Sequence, residues 1–343
     1  MNKHNGLKPG NTRTVDEITS GRRLRRMRKA AWSRRLVQEN HLRVDDLIWP
    51  IFLIEGEGQQ EPVEAMPGVS RYSVDLAVRQ VELAAKLGIP AIATFPNVDV
   101  ASRDGQGTAI LDPNNLINRA TRAFKDAVPE VGIITDVALD PFTDHGHDGI
   151  LRDGVVINDE TVKQIAHAAV LQASAGADVI APSDMMDGRV GAIRDALDSN
   201  GFQDVAILSY ATKFASAFYG PYREAIGTSG LLKGDKNTYY ISAANTDEAM
   251  REVEQDLEEG ADMVMIKPGL PYLDIIRRIK DAFAMPTFAY QVSGEYSMIK
   301  AAEANGWLDG KQAMMESLLA FKRAGCDGVF TYFAPEVAKH LRS

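Results

Sequence analysis

Three short stretches of the chain nearly repeat one another: Ser174-Ala175-Gly176-Ala177-Asp178, Glu258-Glu259-Gly260-Ala261-Asp262 and Arg323-Ala324-Gly325-Cys326-Asp327. Each follows a segment with the length and amphipathic pattern of a helix, and each leads directly into an apolar run typical of a strand. Glycine commonly ends a helix, because it accepts the left-handed conformation needed there. The stretches therefore indicate helix-to-strand turns of a repeated βα unit.

Working outward from these turns, the sequence contains eight apolar runs of strand length that alternate with amphipathic segments of helix length. The runs are 47–53, 91–95, 132–139, 179–181, 205–209, 263–266, 287–291 and 328–333. Eight such units predict an α/β fold of the (β/α)8 TIM-barrel type, with a doubly wound open sheet as the alternative. No Pro/Ser-rich linker divides the chain, so we expect one catalytic domain at 41–343 after an N-terminal arm at 1–40.

The charge balance restricts the partners. The 343 residues carry a net charge of −9, which argues against nucleic acid or an anionic membrane as the main partner. The basic run 22–29 is a local exception, and we interpret it as facing solvent or an acidic neighbouring subunit. No run approaches the about 18 apolar residues of a membrane span, and no signal peptide is recognised, so we expect a cytoplasmic protein. The single cysteine, Cys326, excludes an intramolecular disulfide and a cysteine-based metal cluster.

Polar side chains collect where the predicted strands end, on the face where TIM barrels carry their active sites. In chain order they are Asp136, Ser183, Asp184, Lys213, Lys267, Ser293 and Tyr332. On the predicted fold, we expect these side chains to converge on one rim.

Two of these residues, Lys213 and Lys267, follow neighbouring strands. Lys267 ends the apolar run 263–266, a setting that a surface lysine does not need. Burial and a nearby cation both favour the neutral amine, which can attack a ketone and form an imine. The pair therefore predicts two Schiff-base lysines, with structural ion pairs or surface positions as the alternative.

Four segments resemble signature sequences of the porphobilinogen synthase family, also called 5-aminolevulinic acid dehydratases. They are APSDMMDGR at 181–189, FASAFYGPYR at 214–223, MIKPGLPYLD at 265–274 and VSGEY at 292–296. The resemblance implies condensation of two molecules of 5-aminolevulinic acid to porphobilinogen, with loss of two waters, in tetrapyrrole (haem) biosynthesis. A class I aldolase, which uses one Schiff-base lysine, and a nucleic-acid-binding or non-catalytic barrel are the rival interpretations.

The resemblance also implies roles for individual residues. Lys267 would bind the substrate that becomes the acetyl-bearing side of the product, and Lys213 the substrate that becomes the propionyl-bearing side. Asp136 and Ser183 would handle the substrate amino group and proton transfers. The expected substrate contacts are Arg223 and Lys236 at one carboxylate, Ser293 and Tyr332 at the other, and Tyr219 and Tyr222 as pocket walls. We expect segment 231–237 to be a lid that brings in Lys236, with a plain surface loop as the alternative.

The metal chemistry departs from that of zinc-dependent members of the family. Those members carry three cysteines where this chain has Ala138, Asp140 and Asp148, so a zinc thiolate site cannot exist. Asp140 and Asp148 are candidate ligands of Mg²⁺ or a monovalent cation, with water as the alternative. At the family's allosteric site, Glu252 would bind Mg²⁺ with Asp184 in support. A solvated helix face is the alternative for Glu252.

The resemblance further implies a homo-octamer in which the N-terminal arm wraps a neighbouring barrel, with smaller assemblies as the alternative. Beside the lid, Tyr240 stands where relatives commonly have Gln, which leaves the role of that position open. His145 and His147 could be metal ligands or hydrogen-bonding elements of the active-site wall.

Overall fold

The computed structural model describes residues 23–342. The chain divides into two compact units, which meet in sequence at His41 and Leu42. In the first unit, the described part comprises a 3-10 helix at Leu24–Arg28 and helix α1 at Ala31–Leu36. Residues 1–22 of the predicted arm lie outside the described residues. The use of the arm in subunit contacts stays a prediction.

The second unit is built around a closed barrel of eight parallel strands. The strands of the described chain are β1 (Leu47–Leu53), β2 (Gln60–Pro62), β3 (Ser70–Tyr72), β4 (Ala91–Pro96), β5 (Gly132–Val137), β6 (Ile150–Arg152), β7 (Val155–Ile157), β8 (Val179–Pro182), β9 (Ala206–Lys213), β10 (Met263–Lys267), β11 (Thr287–Gln291) and β12 (Gly328–Thr331). Around the barrel the order is β1-β4-β5-β8-β9-β10-β11-β12, and β12 pairs with β1 to close it. The predicted TIM barrel is confirmed.

Helices lie between the barrel strands. After α1 they are α2 (Val74–Leu87), α3 (Leu116–Ala127), α4 (Asn158–Ser174), α5 (Arg189–Ser199), α6 (Gly220–Ala225), α7 (Asp247–Glu258), α8 (Leu273–Phe283), α9 (Ser293–Ala304), α10 (Gly310–Ala324) and α11 (Ala334–Arg342). The barrel strands are buried along nearly their whole length, because side chains fill the barrel interior and helices cover its outside. This explains why they appear in the sequence as continuous apolar runs.

The repeated turn noted in the sequence has one structural role at three places. After the glycine, Asp178, Asp262 and Asp327 each donate their backbone N–H to the first or second residue of the neighbouring strand. Each aspartate carboxylate then accepts the backbone N–H of that same residue, at 2.8 Å, 2.7 Å and 2.8 Å respectively. The aspartates therefore join adjacent strands at the amino-terminal end of the barrel, opposite the lysine-bearing strand ends.

The structure differs from the sequence-based bounds mainly at two places, and the other barrel strands begin and end within two residues of the predicted bounds. The fifth barrel strand, predicted at 205–209, runs on to Lys213, so that this lysine ends the strand instead of following it. Two antiparallel hairpins, β2–β3 and β6–β7, were not predicted. Their strands have three residues each and are largely exposed or half-buried, so they lack the apolar runs that mark the barrel strands.

Candidate active site

Lys213 and Lys267 end two neighbouring strands and are direct register partners in the β9–β10 pairing. Each side chain is only 4% exposed. The backbone carbonyl of Lys267 accepts hydrogen bonds from the Phe214 N–H at 2.9 Å and from the Tyr219 hydroxyl at 3.1 Å. These bonds fix the two strand ends to each other, so both amines enter one buried space.

Four tyrosine rings surround the amine of Lys267. The distances from Nζ to the ring centroids are 4.6 Å for Tyr290, 5.0 Å for Tyr210, 5.0 Å for Tyr222 and 5.7 Å for Tyr219. Burial and, to a smaller extent, the positive charge of Lys213 lower the pKa of Lys267 to about 7, against the opposing charges of nearby carboxylates. A substantial fraction of this lysine is therefore a neutral amine near pH 7.

The amine of Lys213 has polar partners. It donates to Asp148 Oδ1 at 3.2 Å and to the backbone carbonyl of Ser183. The ring of Tyr240 lies 4.5 Å from Lys213 Nζ. The two lysines therefore occupy different environments: an aromatic enclosure around Lys267, and a carboxylate with a carbonyl at Lys213.

Asp148 is the hub of the polar network. Its Oδ2 accepts from Lys236 Nζ at 2.7 Å, from the Tyr239 hydroxyl at 2.9 Å and from the Tyr240 hydroxyl at 3.0 Å. Burial alone would raise the pKa of Asp148, but the charges of Lys213 and Lys236 together hold it well below its ordinary value. Asp148 is therefore ionised, and its single negative charge is shared between Lys213 and Lys236.

Asp136 and Asp140 lie in the same buried space, and in each the Oδ1 atom has no hydrogen-bond partner. Burial and, to a smaller extent, the charge of Asp140 raise the pKa of Asp136 to about 7, against the opposing charges of both lysines. Burial likewise raises the pKa of Asp140, with Asp148 adding to the effect. Asp136 can therefore give or take a proton near neutral pH, and Asp140 keeps a proton more readily than an ordinary aspartate does.

A cavity at this end of the barrel contains most of the residues expected at the active site. Its lining includes Asp140, Lys213, Tyr219, Tyr222, Arg223, Lys236 and Lys267, together with Tyr240. The structure therefore brings together residues that span 128 positions of the sequence between Asp140 and Lys267, counting both ends.

Ser293 and Tyr332 lie behind this cavity instead of lining it. The hydroxyl of Ser293 accepts the Tyr222 N–H at 2.9 Å, so it braces a wall residue. The hydroxyls of Tyr332 and Tyr290 are 3.0 Å apart, and the Tyr290 ring faces the Lys267 amine. Both residues are thus one contact away from the Lys267 enclosure.

Lid segment 231–237 contains no helix or strand, and its backbone meets the loop that carries the two histidines. His147 Nε2 lies 2.7 Å from the Lys233 carbonyl, and His147 Nδ1 lies 3.0 Å from the Tyr239 hydroxyl. His145 Nε2 lies 3.1 Å from the Gly105 carbonyl. The histidines therefore act as hydrogen-bonding elements of the wall.

Sequence reasoning did not identify Tyr210, Tyr290 or Glu295. The two tyrosines lie inside β9 and β11, where an aromatic residue is ordinary strand composition. Glu295 is fully buried, and its carboxylate accepts the backbone N–H groups of Leu270 at 2.7 Å and Val292 at 2.6 Å. An acidic residue inside the family-like segment 292–296 was the available sequence signal.

The pair Asp140 and Asp148 does not fit a cation site. Both oxygens of Asp148 are bonded to lysine ammonium or tyrosine hydroxyl groups, and Lys236 Nζ is also 3.9 Å from Asp140 Oδ2. The charge that a cation would supply is already supplied by the lysines. Within residues 23–342, no group of three or more His, Cys, Asp or Glu side chains is arranged to hold a metal ion.

Glu252 fits a hydrated Mg²⁺ better. It lies on α7 and lines a second cavity of about 460 Å³, together with Glu248 and Asp187. Mg²⁺ is commonly held by one or two carboxylates and several waters, so a full cage of side chains is not needed. Asp184 is fully buried beside this cavity's Met185 and Met186, and its Oδ2 has no hydrogen-bond partner.

The fold and the site together define an enzyme of the barrel class whose buried strand ends carry lysine amines. The sequence model described as delta-aminolevulinic acid dehydratase matches residues 21–340, and the chain belongs to this family. No helix of the described residues is long and apolar enough to cross a membrane.

Individual relatives agree with this assignment. The chain is 63% identical over 321 residues to delta-aminolevulinic acid dehydratase of Bradyrhizobium diazoefficiens, covering 94% of this chain and 91% of the relative. It is 55% identical to that of Rhodobacter capsulatus, covering 92% and 96%. The crystal structure of the Toxoplasma gondii enzyme, in complex with the reaction product porphobilinogen, superposes with a TM-score of 0.91 at 45% identity, covering 93% of this chain and 91% of that one.

Proposed function

We propose that this chain condenses two molecules of 5-aminolevulinic acid into porphobilinogen, through imines formed on Lys213 and Lys267. The observation that carries the proposal is the register pairing of two buried lysines at the ends of β9 and β10. Family membership and the porphobilinogen bound to the Toxoplasma gondii relative support the same reaction. The enzyme thereby serves tetrapyrrole synthesis.

Lys267 begins the chemistry on its substrate as a neutral amine. Its nitrogen attacks the ketone carbon, the ketone oxygen leaves as water, and an imine results. The tyrosine enclosure favours this step, because it excludes water and keeps the pKa of Lys267 near 7. Protonation of the imine acidifies the adjacent carbon, which becomes the nucleophile for carbon–carbon bond formation.

Lys213 forms the second imine and releases the second water. Its amine donates to Asp148, and any proton that it holds as an ammonium must pass to a base before attack. Asp136 and Asp140 share this buried space and are the candidate bases, because burial raises the pKa of each. A new carbon–carbon bond and a new carbon–nitrogen bond between the substrates replace the two bonds to lysine, so both lysines are regenerated.

The substrate carboxylates bind at two positions. Arg223 and Lys236 line the cavity and supply the cations for one carboxylate. Ser293 and Tyr332 serve the other after small side-chain movements, since their hydroxyls bond to Tyr222 and Tyr290 in the structure. Closure of segment 231–237 brings Lys236 to the substrate, and Ser183 assists with the substrate amino group.

Glu252 would hold Mg²⁺ through one carboxylate oxygen and bound waters, with Asp184 in support. The ion would supply a positive charge in a cavity lined by Glu252, Glu248 and Asp187. Titration calorimetry with MgCl₂ tests this directly: the parent protein should bind the ion, and Glu252→Ala should abolish the heat signal. Unchanged Mg²⁺ binding by the variant would show that Glu252 is not a ligand of the ion.

The chain assembles as a homo-octamer in the cytoplasm, and residues 23–40 take part in subunit contacts. The apolar side chains of this segment support the proposal, because Leu24 is 74%, Trp32 60% and Leu36 71% exposed. Native mass spectrometry of the parent should give a mass of eight chains. Trp32→Glu should reduce the number of chains in the assembly. A purely monomeric parent would overturn the proposal.

The experiment for the reaction is peptide mass spectrometry after incubation with 5-aminolevulinic acid and reduction of imines with borohydride. We expect substrate-derived mass on peptides that contain Lys267 and Lys213, and none on the exposed lid residue Lys233. Lys213→Ala and Lys267→Ala should each lose only their own adduct. A folded protein without either adduct would overturn the mechanism, and an adduct on one lysine only would favour the single-imine chemistry of an aldolase.

A further inference from the structure

Tyr240 ends the turn that carries Lys236. Its backbone N–H donates to the Lys236 carbonyl at 2.9 Å, and its side chain is only 7% exposed. Tyr240 lines the active-site cavity and also the second cavity, so its ring is part of the wall between them. The lid turn therefore places an aromatic ring directly beside the polar network.

The side chain of Tyr240 makes two kinds of contact there. The face of its ring lies 4.5 Å from Lys213 Nζ and 5.5 Å from Lys236 Nζ. Its hydroxyl lies 3.0 Å and 3.2 Å from the two oxygens of Asp148. One side chain thus touches the reacting amine and also the carboxylate that is paired with it.

The hydroxyl of Tyr240 is always a donor under working conditions. Burial raises its pKa well above the ordinary value, and the negative charge of Asp148 raises it further. The hydroxyl therefore keeps its proton and can donate to the Asp148 carboxylate, and such bonds to charged groups are stronger than neutral ones. The ring attracts a cationic amine by its negative face, so it confines the flexible lysine side chain.

We propose that Tyr240 is a positioning residue for Lys213: the ring fixes the location of the amine, and the hydroxyl fixes Asp148 at the opposite side of it. This inference rests on the proposed function, in which Lys213 forms an imine. A reacting amine must meet the ketone carbon at a defined distance, and a displacement of about 1 Å can cost about 100-fold in rate. Lys267 has no contact of this kind with Tyr240.

Two substitutions separate the two contacts. Tyr240→Phe keeps the ring and removes the bond to Asp148, whereas Tyr240→Gln keeps a donor and removes the ring. We expect the rate of imine formation at Lys213 to fall about threefold in the first variant, because Lys236 and Tyr239 still hold Asp148, and about tenfold in the second, which loses the ring that positions the amine. The rate at Lys267 should change less than about twofold, and kcat should fall more than KM rises.

The test is rapid-quench borohydride trapping with 5-aminolevulinic acid, quantified separately on the Lys213 and Lys267 peptides. Tyr239→Leu is the matched control, because Tyr239 also donates to Asp148 but its ring is not over Lys213. A larger loss at Lys213 in Tyr240→Gln than in Tyr239→Leu, with Lys267 trapping retained, supports the proposal.

Two results would count against it, and they are distinguishable. If the parent traps substrate at both lysines and neither Tyr240 variant lowers the Lys213 rate, the positioning role is overturned while the proposed function stands. If the parent shows no adduct on Lys213, the proposed function itself fails. Thermal unfolding identifies a misfolded Tyr240→Gln, in which case Tyr240→Phe decides: an unchanged Lys213 rate overturns the proposal, and a selective loss supports it.

Discussion

Lys213 and Lys267 are register partners on adjacent parallel strands, yet their amines have different surroundings. Lys213 is held by Asp148 at 3.2 Å, whereas Lys267 faces aromatic rings. Burial and the neighbouring charge of Lys213 lower the pKa of Lys267 to about 7, so its ammonium loses the proton readily. Lys267 therefore has a substantial fraction of neutral amine at neutral pH.

The first prediction concerns the pH dependence of imine formation at Lys267. Because the pKa of Lys267 is about 7 and only the neutral amine attacks, the trapping rate should fall about tenfold for each pH unit below 7 and level off above it. Lys213→Gln removes a neighbouring positive charge and should move the midpoint to higher pH. A midpoint near 10 in the parent, as for a free lysine, would contradict the prediction.

The second prediction concerns a buried ion pair beneath the site. Arg189 and Asp256 are each 2% exposed, with nitrogen and oxygen 3.1 Å apart, and Asp256 also accepts from the Ser209 hydroxyl at 2.5 Å. Asp256→Ala leaves the guanidinium buried without its main partner and should lower the free energy of unfolding by about 3–5 kcal/mol.

The matched control for Asp256 is an ion pair of similar geometry on the surface. A guanidinium nitrogen of Arg152 lies 2.6 Å from a carboxylate oxygen of Glu160, and both side chains are about half exposed. Glu160→Ala should lower the free energy of unfolding far less than Asp256→Ala does, because solvent screens such pairs. Equal losses for the two substitutions in urea unfolding would show that burial does not determine the value of the Asp256 contact.

The barrel could be predicted from the sequence, because strands buried on both sides must be continuously apolar and each helix needs an ending signal. The residues 174–178, 258–262 and 323–327 carried both signals at once. The hairpin β2–β3 could not be predicted, since short, largely exposed strands need no apolar run. The hairpin β6–β7 had a signal that was missed, because Asp153-Gly154, with both residues at positive φ, is a dipeptide that commonly forms a two-residue hairpin turn.

The site was predictable in its charged residues and less so in its enclosure. Lys267 stood out because a lysine directly after four apolar residues is unusual. Tyr210 and Tyr290 did not, because tyrosine within a strand is common and only the closed barrel turns both rings toward one amine. The hydrogen bonds from Lys213 and Lys236 to Asp148 could likewise not be predicted from the sequence, since they depend on the fold of the lid backbone.

The third prediction concerns Glu295, whose carboxylate joins the loop after Lys267 to the start of α9. Burial raises its pKa to about 7 in the folded protein, against opposing bonds from the backbone N–H groups of Val292, Leu270 and Gly269. Because the ordinary value is 4.5, the folded protein holds a proton that the unfolded chain has lost between these pH values. Stability should therefore decrease as the pH rises from about 4.5 through 7.

Glu295→Gln removes this titration, and the comparison isolates it. As the pH rises from 5 to about 8, the free energy of unfolding of the parent should fall relative to that of the variant. Urea unfolding at several pH values measures the difference. A difference that stays constant, or that grows in favour of the parent with rising pH, would show that the pKa of Glu295 is not raised.

The last prediction concerns Gly294, the second residue of α9, which follows Ser293. A Cβ at this position would lie 2.5 Å from the carbonyl oxygen of Phe218 and 2.8 Å from its Cα. These are backbone atoms, so no side chain can rotate away, and the segment that leads into Tyr219 and Tyr222 would have to move. Gly294→Ala should therefore lower the free energy of unfolding by about 1–3 kcal/mol, as overpacked substitutions do.

Gly294→Ala should also slow the reaction at Lys267, because Ser293 accepts the Tyr222 N–H and Tyr222 faces the Lys267 amine. Compared with the parent, we expect imine trapping in Gly294→Ala to slow more at Lys267 than at Lys213. Gly220→Ala is the control, since a Cβ there meets no atom within 4 Å. Alanine also favours a helix over glycine by about 1 kcal/mol, so this control should be neutral or stabilising. Equal behaviour of the two alanine variants would mean that the contact with Phe218 does not hold the wall of the lysine enclosure in place.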